Sequence, residues 1–220
     1  MKLKGVVFDF NGTLFWDTKI HNKAWDIFLK KEGVKISDKE KNDKIHGKNN
    51  TDILNALFSR QLSKTELDNF ITEKEKIYQE LCLQNDMRLA PGAEEFLNFL
   101  LVNRIPHTIA TASGLENVNF YFRYLGLEIF FDQTKVIYND GNILSKPNPQ
   151  IFQKAIGSLG IIEKEALVFE DSIAGIIAAE NAGVGRIIIV DSNDVDYSNW
   201  KYQIIKNFCE VDKKLFLLSA

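Results

Sequence analysis

Short apolar runs ending on acidic or small polar residues recur along this chain, and between them apolar positions fall three and four apart. The first run, LKGVVFD at 3–9, reads as a buried strand that delivers Asp9 to a Gly-Thr turn. From 17 to about 31, Ile20, Ala24, Ile27 and Phe28 keep helical spacing, and Gly33 supplies the stop. Ser37 with Glu40, and Ser63 with Glu66, match the capping-box pattern and open further helices, with TDILNALF between them. The stretch from 17 to about 88 is therefore expected to be helical throughout.

After Pro91-Gly92 the period changes. A helix through EEFLNFLL is followed by a strand at IPHTIATAS, a helix near NVNFYFRYLG, the strand ALVFEDS, a helix, and the strand RIIIVD. Alternation of this kind predicts a doubly wound parallel α/β sheet. The helical stretch interrupts that sheet after its first strand, giving a core of 1–16 and 89–220 and an inserted all-helical cap of 17–88, with crossings at 15–17 and 86–89. YNDGNILSKP, with Asp140-Gly141 at its centre, carries a hairpin signal that would place Lys146 just after a turn. From about Val190 onward, through Trp200 and Phe216, the pattern assigns no chemistry.

Composition narrows the functional classes. The 220 residues are 45% hydrophobic and 26% charged with a net charge of −3, ordinary for a globular protein and without the basic field that holds nucleic acid or an anionic membrane. Neither partner is expected. Cys82 and Cys209 lie far apart with no metal-ligand spacing, and the opening apolar run is too short for a signal peptide or a span, so a cytoplasmic monomer is expected. In FYFRYLG, Phe120, Tyr121, Phe122 and Tyr124 lack a surrounding Lys/Arg cluster and read as a helix packed on the sheet rather than a base-stacking platform. The lysines between 35 and 48 alternate with Asp38, Glu40 and Asp43, which reads as a solvated face, with Lys48 the exception.

Four clusters fall at strand ends or the turns after them: 9–13, 111–113, 146–147 and 170–171. Three acidic side chains, a lysine and two hydroxyls suit metal-assisted phosphoryl transfer, in which an anionic nucleophile must approach an anionic group. Singly, each has a plain reading: Asp171 as a helix N-cap, Lys146 as a solvated turn lysine, Thr111 as an ordinary strand residue. Their joint order favours chemistry.

Those clusters resemble the motifs of the haloacid dehalogenase superfamily: Asp9-Phe10-Asn11-Gly12-Thr13, Thr111 in IATAS, Lys146 in KPNPQIF, and Glu170-Asp171 in VFEDSIAGIIAAENAG. The likeness spans nearly the whole chain and is to the subgroup with a helical cap, which includes β-phosphoglucomutase and many sugar phosphatases. It implies a Rossmann-like core and Mg²⁺ held by Asp9, the Asn11 carbonyl, Asp171 and Glu170. It implies that Asp9 is the nucleophile, that Lys146 is a fixed positive charge, and that Thr111, Ser113 and Gly12 serve the phosphoryl group. In the cap, His21, Trp25, Lys48, Asn50 and Lys74 resemble substrate-contacting positions, with packing an equal explanation of His21 and Trp25.

The departure from the family pattern is Asn11, where the family carries the Asp that protonates the leaving oxygen. An amide cannot exchange a proton in this way. The expected function is a magnesium-dependent phosphatase of a small phosphorylated metabolite, with a sugar phosphate as substrate. It ranks ahead of a β-phosphoglucomutase-like mutase, because Asn50 stands where the mutase has a phosphate-gripping arginine. A slow or inactive binder of phosphorylated ligands is the third reading.

Overall fold

The computed structural model describes residues 2–37, 40–41, 44–193 and 195–216. Six parallel strands form one sheet: β1 Gly5–Phe8, β2 His107–Gly114, β3 Ile137–Asn139, β4 Ala166–Glu170, β5 Arg186–Val190 and β6 Gln203–Ile205, in the spatial order β3-β2-β1-β4-β5-β6. The chain moves one way from β1 through β2 to β3 and the other way from β4 to β6. The strand order therefore reverses beside β1, and the crevice at the carboxyl ends there is where such sheets place ligands.

β1 is buried at every position because both faces are covered. Val6 and Phe8 face a large core in which the Phe8 and Phe169 rings stack at 5.1 Å, while Val7, Ala110 and Val168 face a second core on the opposite side. Helices α1 Thr18–Lys31, α2 Asn50–Leu57 and α3 Lys64–Leu83 follow β1 in sequence and build the cap, whose own core holds Trp25, Phe28, Ile53 and Leu54. Ala24, Tyr78, Leu81 and Cys82, from the same helices, belong instead to the large core beside the sheet. Then come α4 Ala93–Val102, α5 Leu115–Leu125, α6 Gln150–Ser158 and α7 Ile173–Ala182.

The expected local signals are largely present. The full Ser63/Glu66 capping box opens α3, and Ser37 and Glu40 exchange the corresponding bonds. Residues 38, 39, 42 and 43, including the expected Asp38 and Asp43, lie outside the described residues. Lys41 is buried and ion-paired to Asp26 at 2.8 Å, so that lysine run is not simply a solvated face. Phe120, Tyr121 and Phe122 pack into the large core, and Tyr124 is exposed.

One expectation fails for a local reason, one plain alternative is set aside, and three elements are unanticipated. The hairpin at Asp140-Gly141 does not form: β3 pairs parallel with β2, and 140–146 contains no strand. The Asn139 and Asp140 side chains instead accept from the backbone N–H groups of Gly141 and Asn142, closing two tight side-chain turns. The N-cap of α7 is Ser172, which accepts from the Gly175 N–H, leaving the Asp171 carboxylate free for other partners. The short strands β3 and β6 and helix α6 have no counterpart in the pattern reading. Among the described residues, no helix is long and apolar enough to cross a membrane.

Candidate active site

The end of β1 places Asp9 on the floor of a cleft between cap and sheet. Its N–H is tied to the Phe169 carbonyl of β4, so the side chain leaves the sheet at a fixed point. Asp9, Glu170 and Asp171 are all buried, and one oxygen from each lies within 4.8 Å of the others. Lys146, 2% exposed and joined to Pro147 by a cis peptide bond, donates to Asp9 Oδ1 at 2.5 Å and to Glu170 Oε1. One lysine among three carboxylates leaves surplus negative charge. Burial, the dominant influence, lifts the Asp9 carboxyl to about 7 against the pull of Lys146, and burial with the Glu170 and Asp9 charges lifts Asp171 well above its ordinary value. Such a cluster of hard oxygen donors short of positive charge fits Mg²⁺.

Two glycines make this packing possible. Gly12 has φ +82°, and a Cβ there would overlap the Asp171 carboxylate; a Cβ on Gly175 would overlap that of Glu170. Asp171 is also gripped by Thr13 Oγ1 at 3.1 Å, by Asn193 Nδ2 at 2.8 Å, and through its carbonyl by the Tyr197 hydroxyl at 2.5 Å. Ser192 Oγ donates to the Gly12 carbonyl at 2.5 Å. The loop after β5, to which the pattern assigned no chemistry, thus holds the acidic cluster in place. Only its position in the fold reveals this.

Asn11 is the hub of a second network. Its Oδ1 accepts from Ser113 Oγ at 2.9 Å and from Thr111 Oγ1 at 3.3 Å. Its Nδ2 donates to Asp17 Oδ2 at 2.7 Å and to the Tyr121 hydroxyl at 2.9 Å. Asp17 is fully buried and also accepts from the Gly12 N–H and the Tyr78 hydroxyl. His21 Nε2 lies 3.3 Å from the same carboxylate, and its Nδ1 lies 3.1 Å from Lys74 Nζ. An ammonium can only donate, so Nδ1 accepts and Nε2 carries the hydrogen facing Asp17. Burial and the neighbouring carboxylate push the Tyr78 hydroxyl above its ordinary range.

The cleft wall carries Asp9, Asn11, Thr111, Ser113 and Asp171 from the core side. From the cap come His21, Trp25, Lys48, Asn50 and Lys74, together with His46 and Glu75. Gly12, Lys146 and Glu170 are not on that wall; Lys146 stands behind Asp9 rather than beside the open space, the reverse of the solvated turn lysine. Trp25 serves packing and lining together, being buried with Lys74 Nζ 5.0 Å from its ring centre. His21 stacks on Tyr78 at 3.9 Å. Burial, with the nearby His21 and Lys41, lowers the His46 pKa to about 4, so its ring is neutral at pH 7. Sequence reasoning missed Asp17 and Glu75 as parts of the site, because a lone acid on a helix has no spacing that distinguishes it.

The raised Asp9 pKa sets a pH dependence. Between 3.8, the ordinary Asp value, and about 7, the folded protein holds a proton on Asp9 that the unfolded chain has lost, so metal-free stability falls as pH rises through this window. The buried His46, with its lowered pKa, has the opposite dependence below pH 6.5, so the comparison is made in a His46→Asn background: thermal melts in chelator should there give a lower Tm at pH 8 than at pH 5, and magnesium should raise Tm more at pH 8. Equal metal-free Tm values at the two pH values would contradict the charge surplus.

Comparison with known proteins places this geometry. A sequence model described as haloacid dehalogenase-like hydrolase matches residues 3–183. The chain is similar to a phosphorylated carbohydrates phosphatase of Thermotoga maritima, 29% identical over 84% of each chain. It is similar to a validoxylamine A 7'-phosphate phosphatase of Streptomyces hygroscopicus, 25% identical over 94% of this chain and 95% of that one. A HAD hydrolase of family IA, variant 3, from Entamoeba histolytica superposes with a TM-score of 0.86 at 31% identity, covering 97% of each chain. A β-phosphoglucomutase from Clostridium difficile shares the fold with a TM-score of 0.80 at 23% identity, covering 96% and 94%.

Proposed function

The chain belongs to the haloacid dehalogenase-like hydrolases, and from that premise we propose that it is a magnesium-dependent phosphatase of a small sugar monophosphate, acting through a phospho-enzyme on Asp9. The observation that carries this is the position of Asp9: at the floor of a polar cleft, ion-paired to a buried lysine and within 4.8 Å of two further carboxylates. Similarity to a phosphatase whose name specifies phosphorylated carbohydrates supports the substrate class.

Mg²⁺ held by Asp9, Asp171 and the Asn11 carbonyl, with Glu170 behind, would neutralise phosphoryl charge as the attacking oxygen approaches. The Asp9 carboxylate attacks phosphorus, the bond from phosphorus to the sugar oxygen breaks, and that oxygen leaves with a proton. Water then attacks the aspartyl phosphate, releasing phosphate and restoring Asp9. Lys146 favours the ionised form of Asp9 and fixes its orientation from behind. Thr111 and Ser113, bonded to Asn11, line the cleft and offer hydroxyls to phosphoryl oxygens. Asn11 holds these groups but moves no proton, so the leaving oxygen draws its proton from water or from the sugar itself, and turnover is slow.

The test is phosphate release from a panel of sugar and nucleoside monophosphates, with magnesium and with chelator. Magnesium-dependent release favouring a sugar phosphate is expected. Saturable binding of these ligands with no release from any of them would replace the enzyme by a phospho-ligand binder, the reading that Asn11 favours.

A further inference from the structure

The cap end of the cleft contains an anion where a phosphate-binding cavity would be expected to hold only cations. Glu75 is 7% exposed and forms part of the wall. Its Oε1 accepts from Lys74 Nζ at 3.0 Å and from Asn50 Nδ2 at 2.6 Å, and its Oε2 from Asn117 Nδ2 at 2.7 Å. Asn117 is itself 2% exposed, on the first turn of α5, so the carboxylate is clamped from cap and core together. Burial would raise its pKa, but the Lys74 ammonium and the Asn117 and Asn50 amides outweigh that and hold it at about 2.

We propose that Glu75 is a specificity-determining residue that restricts this cleft to monophosphates whose far end is uncharged and rich in hydroxyl groups. The inference rests on the phosphatase reading for which end of the substrate meets Asp9. A second phosphate at the cap end would sit as a dianion beside a fixed carboxylate whose neighbouring cation, Lys74, is already shared with Glu75 and His21. Lys48 adds a positive charge to the wall, but one lysine matches half of a dianion. Beside a carboxylate as buried as Glu75 that imbalance weighs heavily. A sugar hydroxyl meets the opposite situation: a carboxylate whose Oε2 takes one side-chain hydrogen bond and has a lone pair to spare, and on the same wall the Asn50 amide, whose oxygen can accept.

The experiment measures binding of fructose 6-phosphate and fructose 1,6-bisphosphate by calorimetry with magnesium, in an Asp9→Asn background that blocks turnover and in Asp9→Asn/Glu75→Gln. The parent should bind the monophosphate at least about tenfold more tightly, and Glu75→Gln should narrow that ratio about tenfold, chiefly by tightening the bisphosphate. A merely structural role for Glu75 would weaken both ligands alike. Equal or tighter binding of the bisphosphate by the parent, a result that needs no folded Glu75 variant, would overturn the proposal, as would a ratio unmoved by the glutamine. Absence of phosphate release by the unmutated enzyme, with the binding ratio as expected, would remove the hydrolase reading and leave this one standing.

Discussion

Asp9→Asn should lower magnesium-dependent phosphate release by about ten-thousandfold or more, because it removes the atom that forms the covalent intermediate rather than one that assists it. The substitution is close to isosteric, and it relieves part of the charge surplus among Asp9, Glu170 and Asp171. The folded protein should therefore persist and melt no lower than the parent in chelator. Loss of activity with an unchanged or higher Tm would separate chemistry from stability. Rates within tenfold of the parent would mean that another group carries the phosphoryl transfer.

Asn11→Asp presents a less simple expectation than restoring a missing acid. The Asn11 amide donates to the Asp17 carboxylate at 2.7 Å, so an aspartate at 11 would place two carboxyls at hydrogen-bond distance in a buried site. Two such groups share one proton, and one of them is pushed to a raised pKa. A raised pKa is what an acid acting near neutrality needs. Phosphate release should rise by roughly a hundredfold to ten-thousandfold, the usual contribution of a positioned acid or base. The gain should come with a new ionisation in the pH profile and a lower Tm. Exchanging the pair, Asn11→Asp with Asp17→Asn, restores a donor facing an acceptor in the opposite sense, and should recover the Tm while losing the carboxyl pair's raised pKa and with it much of the rate gain. An Asn11→Asp protein no faster than the parent at any pH would show that proton supply does not limit turnover.

The contrast between Asp9 and Asp17 shows what the sequence made legible. Asp9 closes an apolar run and opens a Gly-Thr turn, so strand pattern and motif identify it together. Asp17 sits one residue before α1, where any acidic residue is at home, and its role follows from contacts with residues as distant in sequence as Tyr78. Glu75 is hidden in the same way, in a run of charged residues on an exposed-looking helix, and its partner Asn117 is 42 positions away. Strands β1, β4 and β5 could be read because buried parallel strands are near-continuous apolar runs. The three-residue strands β3 and β6 could not, since runs of that length carry no period. The hairpin expected at Asp140-Gly141 failed because its turn chemistry serves side-chain turns equally well.

The side chains that the cap lends to the large core have a consequence for how the molecule comes apart. Ala24, Tyr78, Leu81 and Cys82 sit among the residues that also bury Phe8 and Phe169. Cutting the chain at 17 and 88 would strip apolar surface from both pieces, and neither would keep a complete interior. The helical insert is thus not an autonomous folding unit, and its melting is tied to that of the sheet. Heating should produce one cooperative calorimetric transition, and two resolved peaks would show that the two interiors are energetically separate.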